Sequence, residues 1–462
     1  MARIVARSYP SAANRSRAAR RMAARVASER WVRGVAVAMP TTVGQQPLTS
    51  KTTHLYRQVN ECWQTSVGNR RWVMLREHTQ VLVVGGGPTG LATALTLARR
   101  GVEVTVIDQA AHPPVTSRAA VVHAYTLEVL DRIGAAAPLV DQGVRAPRFT
   151  VRDRDRVLLA VPFDRLPSRF PYALLVSQAV TEAVLTGRLA DLGVRVRRPC
   201  RLTALTRTAD GVVAHLDGGE VRARYVVGAD GMHSAVRREA GIGFSGPTHE
   251  ESFVLADVRV RSALPRDEAA LFLARSGPLI WAPLPDEVVR LVAAVPEAPS
   301  VPDVAYLQAL LDERGPARRP DRVTEVLWGS RFRVHHRIAD TFRRGPVLLA
   351  GDAGHVHSPA GGQGMNLGIC DAVALGTAVA DVLAGGPESL LDAYAAKQRP
   401  MAEDVLRFAA GLTRLAILPP SRRPARDLLL RAVGAVPPVR QRIALRLSGL
   451  VHREPTPARP VE

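Results

Sequence analysis

From Gln80 onward the apolar and polar positions fall into blocks of strand and helix length. Val81–Val84 is an unbroken apolar run, the pattern of a strand buried on both faces. A glycine turn follows, then a helical pattern through Arg100 that Gly101 ends, then a second strand at Val102–Ile107. Together these predict a βαβ unit. Tyr225–Gly228 and Pro346–Ala350 read as later strands of the same sheet. Phe253–Val260, Ala270–Ala274, Val288–Val295 and Thr324–Phe332 read as strands punctuated by Pro and Gly, which predicts a β-rich domain inserted into the first. From about Ala402 the pattern is helical and Arg-rich, interrupted at Pro419-Pro420 and Pro437-Pro438. No internal repeat is visible.

Residues 1–73 have a different texture. They are rich in Arg, Ala and Ser, hold Trp31, Trp63 and Trp72, and show no sustained period. An organellar transit peptide is similarly Arg-rich and poor in acids. A twin-arginine signal at Arg20-Arg21 lacks the apolar core that should follow it. A third reading starts the native chain at Met74, seven residues before the first strand. The expectation is an extension that is either disordered or a start-site error.

Composition narrows the function classes. With 462 residues, 47% hydrophobic and 23% charged, the chain fits a globular protein of two or three domains. No run of eighteen or more apolar residues marks a membrane span. The net charge of +20 invites a nucleic-acid reading, but residues 1–73 hold thirteen Arg/Lys against two acids. The rest carries its excess without a basic run paired to stacking aromatics, so a weakly basic enzyme with no nucleic-acid partner is expected. Cys62, Cys200 and Cys370 form no CxxC pair, which points to a reducing cytoplasm.

Two glycine-rich segments carry the candidate chemistry. Gly85-Gly86-Gly87-Pro88-Thr89-Gly90 places glycines at the GxGxxG positions between a strand and a helix. The first permits the tight turn, the second lets a pyrophosphate approach the backbone, and the third lets helix and strand pack. Free N–H groups at the helix start face the phosphates. Asp108 ends the second strand eighteen residues after Gly90, positioned for an adenosine ribose, so the site suits FAD or NAD over NADP. The second segment runs from the apolar strand before Gly351-Asp352 to Ser358-Pro359-Ala360-Gly361-Gly362-Gln363-Gly364-Met365-Asn366. Its Asp352 would lie at the carboxyl edge of the sheet, within reach of a polyol such as ribitol. Its glycines leave the backbone open to a flat ligand, and a helix from near Gly364 through Ala384 would direct its positive end at the flavin pyrimidine edge.

With these motifs in place the chain resembles the flavoprotein aromatic hydroxylases typified by para-hydroxybenzoate hydroxylase, and among them the actinobacterial polyketide hydroxylases, over about Met74 to Val451. The third fingerprint of that family is matched by Gly228-Ala229-Asp230-Gly231-Met232-His233-Ser234. The resemblance implies an α/β fold, with a Rossmann-like FAD-binding domain (74–148, 175–248 and 335–400), an inserted β-rich substrate domain (149–174 and 249–334) and a C-terminal helical region (401–462). It also implies that Asp230 and Gly231 serve both FAD and NAD(P)H, and that Asp352 bonds the ribityl chain. Pro359 and the backbone of Gly362, Gly364, Met365 and Asn366 would line the isoalloxazine. Arg118 matches an arginine beside FAD and the nicotinamide path, and Gln178 a polar residue that contacts the cofactor. No thioredoxin-like third domain of the kind found in phenol-hydroxylase relatives is expected after the tail.

The chemistry this family implies is hydride transfer from NAD(P)H to FAD, reaction with O2 to a hydroperoxide at flavin carbon 4a, and oxygen transfer to an aromatic or polyketide carbon. The cofactor performs the hard step, so no catalytic side chain is named. Other outcomes on the same fold are Baeyer–Villiger oxygenation, epoxidation, reduction, or a non-oxygenating flavin-binding partner; a Trp-x-Trp-x-Ile-Pro halogenase run is absent. A monomer or homodimer is expected. His355 and His357 form an HxH without a third ligand cluster, so no metal is expected. His335-His336 reads as structural. The inserted sheet shows no charged pair that would announce a small carboxylate ligand, and Phe253, Phe272, Trp281 and Trp328 are compatible with a broad apolar pocket but fit ordinary core better.

Overall fold

The computed structural model describes residues 78–113, 119–318 and 321–453, so the expected extension, Cys62 and Arg118 lie outside the described residues. Strand β1 (His78–Val84) leads through the glycine turn into helix α1 (Pro88–Arg99) and strand β2 (Val104–Ile107). Val81, Leu82 and Val83 are fully buried, which is why the strand reads as an unbroken apolar run. Strands β3 (Gly219–Gly228) and β4 (Val347–Leu349) join the same sheet from far along the chain. The order β4-β3-β1-β2, followed by Val196–Arg197, is parallel throughout. Helix α2 (Gln178–Ala190) and helix α3 (Gly364–Leu383) pack on α1. Of the helices described, α3 alone is long and apolar enough to cross a membrane, yet 72% of its apolar window is buried inside the fold.

A seven-stranded second sheet has the order Arg322–His335, Thr248–Arg261, Val288–Val295, Gly277–Pro283, Glu268–Ala274, Arg148–Asp153, Arg156–Pro162. All neighbours are antiparallel except the parallel pair Glu268–Ala274 and Arg148–Asp153. Gly277–Pro283 is missing from the sequence expectation. Pro278 and Pro283 read as breakers, but they sit at the ends of the strand, where a missing N–H does least harm. Phe272 and Trp281 are buried in the core of this sheet, as expected.

The C-terminal helices start earlier than the sequence pattern indicates. Helix α4 (Ser389–Ala416) carries Pro400 inside it and runs through the expected junction at 400/401. Helices α5 (Arg423–Ala435) and α6 (Pro437–Leu447) follow, and both pack on strand Arg156–Pro162. Proline at the start of each is compatible with helix because the first N–H groups have no intrahelical acceptor.

Candidate cofactor and substrate site

The glycine turn has the shape its spacing requires. Gly85 adopts φ +111°, and a Cβ there would strike the Ala229 carbonyl. A Cβ on Gly90 would strike the Gly85 carbonyl. At Gly87, by contrast, a Cβ would meet nothing within 4 Å. Gly87 is also the N-cap of α1 and makes no side-chain cap, so the first N–H groups of the helix open onto a cavity. Two of these three glycines therefore answer to the protein, and Gly87 answers to what occupies the cavity.

Asp108 closes the turn from below. Its Oδ2 accepts from Gly86 N at 2.7 Å, and its Oδ1 accepts from Ala110 N at 2.8 Å. Oδ1 keeps a further lone pair for a ribose hydroxyl. Arg198 stands beside it, Nη1 3.2 Å from Oδ2, and donates through Nη2 to the Gly86 carbonyl at 2.9 Å. Sequence reasoning missed Arg198, since it follows a two-residue edge strand and matches no motif.

The Gly-Asp loop meets this turn through Thr89. Gly351 has φ +61°, and a Cβ on it would stand 2.5 Å from Thr89 Oγ1; one on Gly368 would stand 2.6 Å from the same atom. The side chain of Thr89 thus fits between two glycines, bringing the start of α1 against the loop. Asp352 is exposed to the cavity. Gly362 N bonds the Pro359 carbonyl at 2.9 Å, and α3 begins at Gly364 without a side-chain cap. The C-terminal helices pin the loop: Ser358 Oγ shares a hydrogen bond of 2.8 Å with Thr413, and Gln363 Nε2 donates to the Leu447 carbonyl at 2.9 Å.

Histidines fix the loop's other side. His123 Nε2 is 2.8 Å from the Gly361 carbonyl, and His357 Nδ1 is 2.7 Å from the Ser358 carbonyl. Carbonyls only accept, so both rings donate there and stay neutral; burial pushes each down to about 4. His355 is different. It is 2.6 Å from Asp371 with both side chains fully buried; burial opposes its charge, but the carboxylate raises it overall. The HxH pair is accounted for by these contacts, and among the described residues no group of three or more ligating side chains gathers for a metal.

Gly85, Gly87, Pro88, Thr89, Asp108, Gln178, Asp230, Gly231, Asp352, Pro359, Gly362, Gly364 and Met365 all line one cavity of about 900 Å3. Gly86, Gly90 and Gly351 support it from behind. The side chain of Asn366 is spent on structure: Oδ1 accepts from His123 N, and Nδ2 donates to the carbonyls of Val121 and Gly362. Asp230 accepts from Ala235 N and Val236 N through Oδ2, and burial raises it. Gln178 opens α2 and donates to Glu182. The cavity continues to the second sheet, where Phe253, Leu255, Ile280 and Val292 give it an apolar wall. Phe253 is therefore a wall residue as well as a core one, whereas Trp328 lies over Arg290, 5.9 Å from ring centroid to guanidinium carbon. Its volume is at the upper end of the roughly 300–1,000 Å3 usual for ligand sites. An open helix start, a ligand-facing Gly87 and an exposed Asp352 on one cavity fit a dinucleotide with a flat head group.

A family model described as an FAD binding domain matches residues 78–409. The chain belongs to the FAD-dependent aromatic hydroxylases. It is 37% identical over 399 residues to a 12-dehydrotetracycline 5-monooxygenase/anhydrotetracycline 6-monooxygenase of Streptomyces rimosus, spanning 81% of this chain and 77% of that protein. It is 38% identical over 379 residues to a 6-methylpretetramide 4-monooxygenase of Streptomyces rimosus, spanning 80% and 68%. The solved structure of an anhydrotetracycline hydroxylase from Streptomyces rimosus superposes with TM-score 0.70 at 35% identity, covering 82% of this chain and 78% of that one. The fold is that of the para-hydroxybenzoate hydroxylase group, and the hydroxylase is an FAD-dependent monooxygenase.

Proposed function

We propose that this hydroxylase adds one oxygen atom from O2 to a multi-ring phenolic, polyketide-type substrate, with NAD(P)H as reductant. The observation that carries this reading is the single cavity that joins Gly87 and Asp352 to the apolar inner face of the seven-stranded sheet. When bound there, FAD accepts hydride and activates oxygen; the protein's part is to bind, orient and keep water out.

The start of α1 at Gly87 holds the diphosphate, Asp108 the adenosine ribose and Asp352 the ribityl chain. The glycines from 361 to 364 bring the backbone against the flat ring, and the uncapped start of α3 places partial positive charge there. Asp230 orders the segment through Gly231 by accepting from the first N–H groups of the short helix Ala235–Glu239; Arg118, outside the described residues, is assigned to the nicotinamide path by the family resemblance alone. Phe253, Leu255 and Ile280 offer area to fused rings and exclude water from the reacting face. The discontinuous division into FAD-binding, substrate and C-terminal regions, a monomeric or homodimeric state and a cytoplasmic location belong to the same reading.

The test is purification and turnover. The protein should be yellow, its NAD(P)H oxidation should accelerate when a multi-ring phenol is added, and the product should gain one oxygen by mass. A colourless protein that cannot be reconstituted with FAD, or a product without added oxygen, overturns it.

A further inference from the structure

We propose that Glu182 is a proton-linked positioning residue of the cofactor site, whose carboxyl takes up a proton as the FAD diphosphate settles against the glycine turn. The inference rests on the FAD reading above and adds a side chain that no motif marks.

Glu182 lies one helical turn after Gln178 on α2, and its Oε1 accepts from Gln178 Nε2 at 2.8 Å. Gln178 lines the cavity and also bonds the Ala119 carbonyl through its backbone N–H. Glu182 itself is 4% exposed, and its Oε2 has no hydrogen-bond partner among the described residues. A buried carboxylate with one oxygen unsatisfied is costly, and none of the cavity motifs requires an acid at this position.

Among the described residues, the charges acting on it come from two other elements. Arg198 follows the edge strand Val196–Arg197, and Asp108 ends β2. Arg198 is already committed to Asp108 and the Gly86 carbonyl. Among the described residues, Arg198 is the cation acting on both carboxyls at the place where the start of α1 awaits a doubly charged diphosphate. Burial raises the Glu182 carboxyl to about 7, against the opposing pull of the Gln178 bond and Arg198. Both forms are accordingly populated near neutral pH before any ligand arrives.

A diphosphate at Gly87 adds negative potential and shifts the balance toward the neutral acid. The proton comes from solvent and goes to Oε2, the oxygen without a partner, so the Gln178 bond to Oε1 survives in both forms. Linkage fixes the direction. Affinity for FAD is highest below the free-protein value near 7 and falls as pH rises through the higher value of the bound state.

The experiment follows flavin release from the diluted holoenzyme by fluorescence between pH 6.0 and 8.5, with proton uptake on FAD rebinding read by an indicator dye in weak buffer. For the wild type, Kd should rise between the free and bound values with a slope of at most about tenfold per pH unit, and rebinding should take up a fraction of a proton that is largest between those two values. Glu182→Gln, isosteric and permanently neutral, should give a Kd that varies less than about twofold across the range and no proton uptake. Glu182→Met, which also removes the Gln178 bond, should lose the pH dependence while weakening flavin binding at every pH. A flat wild-type profile, or a Glu182→Gln variant with the wild-type slope, overturns the role of Glu182 while leaving FAD binding standing. Folded wild type that binds no flavin at any pH overturns the cofactor reading itself.

Discussion

Arg290 and Asp257 stand directly opposite each other on adjacent antiparallel strands of the second sheet, and the guanidinium grips the carboxylate through two bonds of 2.7 Å each. Arg290 is 2% exposed and sends a third bond of 2.7 Å to the Ala119 carbonyl, just before the short strand Val121–Val122. The two charges are spent on each other within the sheet, a pairing that the sequence alone does not reveal. Both partners look like isolated polar residues within apolar strands until register puts them face to face. The fork geometry of arginine suits this double bond, which lysine cannot reproduce.

Removing one partner leaves the other charge buried. Asp257→Ala should destabilise the holoenzyme by about 3–5 kcal/mol, measured by urea denaturation. A loss below about 1 kcal/mol would mean that solvent reaches Arg290 in the folded protein.

The glycines of the first turn should separate by what they face. Gly90→Ala drives a Cβ into the Gly85 carbonyl and should lower stability with or without flavin. Gly87→Ala meets no protein atom within 4 Å, so thermal stability of the flavin-free form should stay near wild type. Its flavin affinity should drop at least about tenfold, equivalent to roughly 1.4 kcal/mol. Equal behaviour of the two variants in flavin titrations and melting would contradict the assignment.

Thr89 should couple to Gly368. Gly368→Ala alone places its Cβ 2.6 Å from Thr89 Oγ1 and should destabilise the fold and loosen flavin. Adding Thr89→Ala removes that atom and should restore part of the loss, a coupling of about 0.5–3 kcal/mol in a double-mutant cycle. Additive effects would show that the two elements do not meet there.

The neutral histidines should make the protein acid-sensitive. His123 and His357 are lowered from 6.5 to about 4 by burial, so the folded state binds fewer protons than the unfolded chain between those values. Their contribution is present above pH 6.5 and lost as pH falls toward 4. Denaturation midpoints should fall over that window, and less steeply in His123→Gln. An unchanged slope in that variant would place the acid sensitivity elsewhere.

Much of the site is local and so was legible. The strand, turn and helix from β1 to α1 and the Gly351–Gly364 loop are each set within a few residues, because φ angles and close approach select glycine wherever the segment sits. Glu182 was within reach as well, since it lies four residues from Gln178, yet an acid on a helix usually means a solvated face. The strand Gly277–Pro283 was hidden because its prolines signal termination while its burial comes from neighbours on both sides.

By itself, the sequence determined the dinucleotide turn, the Gly-Asp loop and the apolar strands that must be covered. These follow from backbone stereochemistry and from the alternation of apolar residues, both short-range. Only the tertiary structure decided which charges meet. Arg198 reaches Asp108, Asp371 takes His355, and Arg290 closes on Asp257 because parallel crossovers and strand register bring distant residues together. A charged side chain carries no mark of its partner. In a buried site the partner decides whether that charge is held, neutralised or left to take up a proton.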